Sequence, residues 1–134
     1  MAQEATMNTK TVVAIVDDDH SVREALESLL ESARFETRVF SSAESLLASE
    51  DLNDLDCVVS DVAMPGMSGV ALKSTLKHLL PSVPVILITG HMDLLSYPGS
   101  GFNENEILAK PIDGEELIHM IDIAYRSRRA RDAG

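Results

Sequence analysis

The chain has 134 residues, an apolar content of 45% and a formal net charge of −11 at pH 7. This length suits one domain with one core, no apolar run is long enough to cross a membrane, and the acidic excess argues against direct binding to nucleic acid. The single cysteine, Cys57, excludes an internal disulfide and fits a cytoplasmic protein. Residues 1–10 lack a secretory signal and are predicted as a flexible lead-in.

In the first half of the chain, apolar residues alternate between strand-like and helix-like spacing. Residues 11–16 are a β-branched apolar run, which predicts a buried strand. Residues 20–33 repeat apolar side chains three and four positions apart, which predicts an amphipathic helix, and residues 34–40 alternate as a second strand does. A short helix follows, for which Ser41 and Glu44 form a predicted capping box, and then comes an acidic loop.

The second half continues this alternation. A third strand begins at Cys57, a helix is predicted over residues 69–80, and a fourth strand over residues 84–88. Residues 93–105 contain one proline and two glycines, so we expect one helical turn there at most. A fifth strand over residues 106–109 precedes a last amphipathic helix.

Strands that alternate with helices predict an α/β fold with a parallel sheet covered by helices on both faces. Because crossovers between parallel strands are right-handed, the pattern narrows to a doubly wound five-stranded sheet in the order 2-1-3-4-5, here with a degenerate fourth helix. We expect this domain over residues 11–126 and a basic tail over residues 127–134.

Polar residues follow four of the predicted strands. They are three carboxylates after the first strand, one after the third, a hydroxyl after the fourth and an ammonium after the fifth: Asp17, Asp18, Asp19, Asp61, Thr89 and Lys110. Because parallel strands end at one edge of a sheet, we expect these groups to meet. Clustered carboxylates favour a hard divalent cation, above all Mg²⁺, and a hydroxyl beside an ammonium suits a phosphoryl group.

Four short strings carry a resemblance to a known family. Asp-Asp at Asp17, Asp-x-x-Met-Pro-Gly at Asp61, Thr-Gly at Thr89 and Lys-Pro at Lys110 occur in this order, each after an apolar run. Residues 11–125 thereby resemble the receiver domains of two-component response regulators, most of all those of nitrogen-fixation and nodulation regulators. The resemblance implies a flavodoxin-like receiver fold. It also implies a phosphoacceptor switch, served by a sensor histidine kinase, that catalyses only its own phosphorylation and dephosphorylation.

The resemblance further implies the metal ligands. The family places a basic residue five positions after its second acid, as Arg23 stands to Asp18. This register selects Asp17 and Asp18 and leaves Asp19 to cap the first helix. Asp18 and the phosphoacceptor would then bind Mg²⁺ directly, Asp17 would act mainly through water, and the backbone carbonyl of Ala63 would be a further ligand.

The remaining roles also follow from the resemblance. Asp61 is the implied nucleophile, which attacks the phosphorus of a phosphohistidine. Lys110 would neutralise phosphoryl charge, and Thr89 would hydrogen-bond the phosphoryl group. Pro111 follows an expected cis peptide that would aim the Lys110 side chain at the site. His91 would lie at the mouth of the site without an assigned role.

Two departures from the family lie in the segment around the fourth helix and the fifth strand. The fourth helix is broken in residues 93–105, and Ile107 stands where many members carry an aromatic that rotates inward with the conserved hydroxyl. Met120 and Ile123 are predicted to lie off the core stripe of the last helix. We expect them to join segment 93–105 in a homodimer contact; in the alternative, these apolar residues fill the volume of the missing helix.

The sequence leaves alternative functions open. The leading expectation is a stand-alone receiver, and the second is the excised receiver of a DNA-binding transcription regulator. The remote alternative is a phosphohydrolase of the haloacid-dehalogenase type, whose nucleophile motif Asp17-x-Asp19 resembles. That alternative would leave the Asp-x-x-Met-Pro-Gly string at Asp61 unexplained.

Overall fold

The computed structural model describes residues 10–95, 97 and 99–133, and within them five strands alternate with five helices. The strands are β1 (Val12–Val16), β2 (Glu36–Phe40), β3 (Cys57–Asp61), β4 (Val85–Thr89) and β5 (Ile107–Ala109). The helices are α1 (His20–Ser32), α2 (Ala43–Leu47), α3 (Gly69–Leu79), α4 (Met92–Leu95) and α5 (Gly114–Ala133), with short 3₁₀ turns at Leu52–Asp54 and Glu104–Glu106. Most of the predicted lead-in, residues 1–9, lies outside the described part of the chain.

All five strands pair in parallel, in the order β2-β1-β3-β4-β5. The predicted doubly wound sheet is therefore confirmed. The register sets the strand ends side by side: Val16 with Ser60, Asp61 with Ile88, and Thr89 with Ala109. As a result, the residues that end or follow β1, β3, β4 and β5 share one edge of the sheet.

Two apolar layers cover the two faces of the sheet. Successive strand residues point to opposite faces, so neighbours in β1 enter different layers: Val13 and Ile15 the first, Ala14 and Val16 the second. The first layer contains side chains of α1 and α5, and the second contains side chains of α2 and α3. β3 and β4 are buried along their whole length, as the central strands of a parallel sheet are.

The boundary between α1 and β2 differs from the predicted one. Arg34, predicted as the first residue of the second strand, has a φ of 71° and donates its backbone N–H to the Glu31 carbonyl. It therefore closes the helix as a left-handed C-terminal residue, and the strand begins at Glu36. Because β2 is an edge strand, Val39 is 36% exposed, although its place in the alternation reads as buried.

The fourth helix is a single turn, as the proline and glycines beyond it predict. α4 ends at Leu95, and Ser96 and Pro98 lie outside the described residues. Phe102 packs against the second apolar layer. This contact favours the alternative in which part of segment 93–105 fills volume beside a shortened helix.

A lysine of α3 contacts the 3₁₀ turn that precedes β5. Glu106, predicted to start the fifth strand, instead ends a 3₁₀ turn and forms an ion pair with Lys73. The Lys73 Nζ also donates to the Val85 carbonyl at 2.7 Å. Ile107, which stands where the resemblance leads us to expect an aromatic, begins β5 and is 3% exposed.

α5 continues past the predicted domain boundary at residue 126 as far as Ala133. The Arg128 Nη1 donates to Asp56 Oδ1 at 2.7 Å, next to the start of β3, and so ties the helix to the amino end of the sheet. Residues 127–133 are therefore helical, while the division into domain and tail stays a prediction. Among the described residues, no helix combines the length and hydropathy that crossing a membrane requires.

The two predicted contact residues of α5 differ in their surroundings. Met120 packs against the first apolar layer, so the prediction that it lies off the core stripe is wrong. The cause is that Met120 lies beside Leu117 and Ile121, which are both fully buried in this layer, so it borders the core-facing side of α5. Ile123 is 45% exposed, as predicted.

Candidate functional site

Three carboxylates meet at the carboxyl edge of the sheet. One oxygen each from Asp17, Asp18 and Asp61 lies within 4.8 Å of the other two. Asp17 and Asp61 are 2% and 6% exposed, whereas Asp18 is exposed. Three oxygens at this spacing, open to solvent on one side, suit Mg²⁺, which keeps several of its waters when proteins bind it.

Asp17 carries an unsatisfied buried oxygen. Its Oδ1 accepts the backbone N–H of Asp19 at 2.9 Å, while its Oδ2 is buried with no hydrogen-bond partner among the described residues. Burial raises the pKa of Asp17, and the negative charge of Asp61 adds to the rise. A cation between these groups would satisfy the oxygen and offset the repulsion, so the residues present fit a divalent metal.

Asp19 belongs to the helix rather than to the carboxylate cluster. Its Oδ1 accepts the backbone N–H of Ser21 at 2.9 Å and of Val22 at 3.2 Å, which makes it the N-cap of α1. Arg23 donates from Nη1 to the Asp17 carbonyl at 2.7 Å. The sequence pointed to Arg23 for register alone, and this contact shows that it also holds the β1–α1 turn.

Lys110 reaches the cluster from the end of β5. Its Nζ lies 3.2 Å from Asp61 Oδ1, and its backbone N–H donates to the Thr89 carbonyl at 2.8 Å. The Lys110–Pro111 peptide is cis. The ammonium therefore faces a carboxylate whose side chain is 8% exposed and compensates part of its charge.

Thr89 ends β4 with 4% of its surface exposed. Its Oγ1 accepts the backbone N–H of His91 at 2.9 Å, and a hydroxyl that accepts one bond keeps its own hydrogen to donate. Thr89 can therefore order the turn into α4 and still donate to a phosphoryl oxygen. His91 contributes its backbone to this turn, and the residue as a whole is exposed.

The loop between β3 and α3, residues 62–68, is tightly held at both ends. The Ser60 Oγ donates to the Asp61 carbonyl at 2.9 Å, and the Val62 N–H donates to a carbonyl of β4. Gly69 closes the loop: its N–H donates to the Val62 carbonyl at 3.0 Å, and a Cβ on it would lie 2.2 Å from the Asp61 carbonyl oxygen. Ala63, the predicted carbonyl ligand, is exposed in this loop.

Sequence reasoning missed the contact that Glu44 makes. The predicted capping box of Ser41 and Glu44 is wrong, because Ser42 is the N-cap of α2 and its Oγ accepts the Ser45 N–H at 3.0 Å. The Glu44 Oε2 instead accepts the backbone N–H of Met67 at 3.0 Å, 23 positions further along the chain. A local pattern carries no signal of a contact over that separation.

An apolar groove of about 330 Å³ lies beside this edge of the sheet. Most of its lining comes from one side of α1 and from the chain that follows Lys110: Asp19, Ser21, Val22, Ala25, Leu26, Leu29, Ile112 and Gly114. The groove thus runs from the helix cap next to the carboxylates to the chain just beyond the ammonium.

Comparisons with known proteins point to one family. The family model described as the response regulator receiver domain matches residues 13–122. Two relatives come from Bradyrhizobium diazoefficiens: transcriptional regulatory protein FixJ, 35% identical over 121 residues, and nodulation protein W, 34% identical over 128 residues. The matches cover 90% and 94% of this chain but 59% and 56% of those proteins. The expectation of a stand-alone receiver therefore stays a prediction.

Solved structures share the fold. Full-length FixJ from B. japonicum matches with a TM-score of 0.74 and 34% identity, over 90% of this chain and 60% of that one. A response regulator receiver domain protein from Clostridium thermocellum matches with a TM-score of 0.77 and 26% identity, over 90% and 98% of the two chains. The family model spans residues 13–122, and FixJ and nodulation protein W align over 90% and 94% of the chain. The chain therefore belongs to the response regulator receiver family.

Proposed function

We propose that this chain is a phosphoacceptor switch that takes a phosphoryl group onto Asp61 from a sensor histidine kinase, in a Mg²⁺-dependent step. Receiver domains are phosphorylated by such kinases and bind Mg²⁺ at an acidic pocket. The observation that supports Asp61 as the residue that takes the phosphoryl group is its position. It is a buried carboxylate 3.2 Å from the Lys110 ammonium, and its oxygen lies close to two further carboxylates.

In the proposed step, an Asp61 oxygen forms a bond to phosphorus while the bond from phosphorus to the histidine nitrogen breaks, and the electron pair of that bond leaves with the imidazole. Lys110 holds a positive charge beside the attacking carboxylate, and Thr89 donates its hydroxyl hydrogen to a phosphoryl oxygen. Mg²⁺, when bound, supplies charge neutralisation at the phosphoryl oxygens. The groups that would hold it are the carboxylates of Asp17, Asp18 and Asp61 and the backbone carbonyl of Ala63.

Intact-mass spectrometry after incubation with acetyl phosphate tests the proposal without any kinase. We expect one added phosphoryl group when Mg²⁺ is present and none when a chelator removes it. Continuous release of phosphate from generic phosphate esters, without a covalent product, would support the phosphohydrolase alternative instead.

An Asp18→Ala variant should bind Mg²⁺ at least ~10-fold more weakly, because it loses a direct oxygen ligand. Asp18 is exposed, so we expect the fold to be kept. A Mg²⁺ titration followed by NMR amide shifts measures the affinity, and the labelling rate at low Mg²⁺ should fall with it.

The matched control for this variant is Asp19→Ala. Loss of the N-cap should cost about 1 kcal/mol of stability, measured by urea denaturation, while the Mg²⁺ affinity stays at the wild-type value. If Asp19→Ala weakened Mg²⁺ binding and Asp18→Ala did not, the register of the metal pair would be wrong.

We also propose a homodimer contact through α5 and segment 93–105. Three large apolar residues of this region are well exposed: Leu94 at 65%, Tyr97 at 57% and Ile123 at 45%. Leu94 and Tyr97 lie three positions apart in the chain, and grouped exposed apolar residues more often mark a contact than scattered ones do. Met120 is half-buried and packs against the first apolar layer, so we leave it out of the proposed surface.

A Leu94→Glu, Ile123→Glu double variant should be monomeric by light scattering at concentrations where the wild type forms a dimer. Its labelling at Asp61 should continue, because neither residue touches the site. A wild type that is monomeric both with and without the phosphoryl group, or a double variant that still dimerises, would refute this surface.

A further inference from the structure

Glu44 connects α2 to the loop that follows the phosphoacceptor. The residue is exposed and lies in the first turn of α2, yet its Oε2 accepts the backbone N–H of Met67 at 3.0 Å. Met67 belongs to the β3–α3 loop, residues 62–68, which begins directly after Asp61. A carboxylate that accepts a backbone N–H makes one of the stronger hydrogen bonds in proteins.

The neighbouring loop residue, Gly66, leaves room for the same carboxylate because it has no side chain. Gly66 has a φ of 75°, and a Cβ placed on it would lie 2.6 Å from Glu44 Oε2. A residue with a side chain here would therefore displace the Glu44 carboxylate, which is the flexible end of its side chain. Two successive residues of the loop, Gly66 and Met67, thus fit the position of Glu44.

The loop has anchors of other kinds on either side of this contact. At its ends, the Val62 N–H bonds to β4 and the Gly69 N–H bonds back to Val62. Met64 and Met67 pack against the second apolar layer. The Glu44 bond adds a directional restraint on the backbone between these anchors, which apolar packing does not supply.

We propose that Glu44 is a positioning residue for the phosphorylation site: by holding the Met67 N–H it keeps the β3–α3 loop, and with it the Ala63 carbonyl, in the arrangement that receives Mg²⁺. The inference rests on the proposed function above. Without the restraint, the loop populates other conformations, and Mg²⁺ binding must select the competent one, which lowers the apparent affinity.

Glu44→Ala and Glu44→Gln variants of the full chain test this role. In the metal-free protein, the Met67 amide should exchange its hydrogen faster in Glu44→Ala than in the wild type. The Mg²⁺ dissociation constant should rise about 2- to 10-fold, as expected for the loss of one hydrogen bond. Glu44→Gln keeps an accepting oxygen and should restore most of both quantities. The chain has no Trp, so NMR is the suitable probe for both.

A second variant breaks the same contact without changing Glu44. Asn tolerates a positive φ, so Gly66→Asn should fit the loop backbone while its Cβ displaces the Glu44 carboxylate. We expect it to reproduce the effects of Glu44→Ala, and the double variant should show little further change, because both substitutions remove one interaction. Glu50→Ala, which removes the same charge from the segment after α2, is the control and should leave Mg²⁺ binding unchanged.

The outcomes separate this inference from the proposed function. Wild-type Mg²⁺ affinity and wild-type Met67 exchange in Glu44→Ala would overturn the role of Glu44, provided that the wild type itself binds Mg²⁺ and is labelled. Additive effects of Glu44→Ala and Gly66→Asn would overturn it as well. A wild-type chain that neither binds Mg²⁺ nor takes a phosphoryl group would instead refute the proposed function.

Discussion

An Asp61→Asn variant will take no phosphoryl group from acetyl phosphate or from a kinase. The amide has nearly the shape of the carboxylate but lacks the nucleophilic oxygen that attacks phosphorus. Lys110 loses its partner at 3.2 Å, but its side chain is 39% exposed, so water screens the unpaired charge. Removal of the Asp61 charge should also lower the pKa of Asp17 towards its ordinary value. The folded state should therefore stay at least as stable as that of the wild type.

Intact-mass spectrometry and thermal denaturation of the same sample measure both expectations for Asp61→Asn. Asp54→Asn, in the 3₁₀ turn before β3, is the matched control and should be labelled like the wild type. Full labelling of Asp61→Asn with a native melting curve would place the phosphoryl group on another residue.

A Gly69→Ala variant should lose about 2 to 3 kcal/mol of stability, because overpacking against backbone cannot be relieved by a side-chain rotation. The new Cβ would lie 2.2 Å from the Asp61 carbonyl oxygen and 3.0 Å from the Val62 Cα. Helix propensity alone predicts the opposite sign, a gain of about 1 kcal/mol for Ala over Gly. The clash decides the sign, since the backbone of Asp61 itself must move. We therefore expect slower phosphorylation as well.

Urea denaturation and the labelling rate from acetyl phosphate test Gly69→Ala. Gly90→Ala is the control, because no atom lies within 4 Å of a Cβ at that position, and its stability should stay within ~0.5 kcal/mol of the wild type. If Gly69→Ala were as stable as Gly90→Ala, the close approach of α3 to the Asp61 backbone would be contradicted.

The sheet and its edge could be predicted because their signals are local. β3 reads as an apolar run that ends in Ser60 and Asp61, and β5 reads as another that stops before Lys110. Parallel pairing then brings the ends of both strands to one edge. The single turn of α4 was also predictable, because proline and glycine weaken a helix through local effects that do not depend on tertiary packing.

The contacts that the sequence missed join residues far apart in the chain. Glu44 fits a capping box by spacing, but its bond to Met67 depends on how α2 packs beside the β3–α3 loop. The extended part of α5 likewise contains Arg128, which donates a hydrogen bond to Asp56 across a separation of 72 positions. The prediction for Met120 was wrong for a related reason. The packing of α1 and the sheet, not the helix alone, sets which flank of α5 faces the core.

The most direct test of the central claim is to locate the phosphoryl group in the wild-type chain. The chain would be phosphorylated with acetyl phosphate and Mg²⁺, reduced with borohydride to convert an acyl phosphate into a stable alcohol, digested, and sequenced by tandem mass spectrometry. We expect the reduced residue, homoserine, at position 61 and at no other aspartate. Homoserine at position 17, 18 or 19 with Asp61 intact would contradict the account.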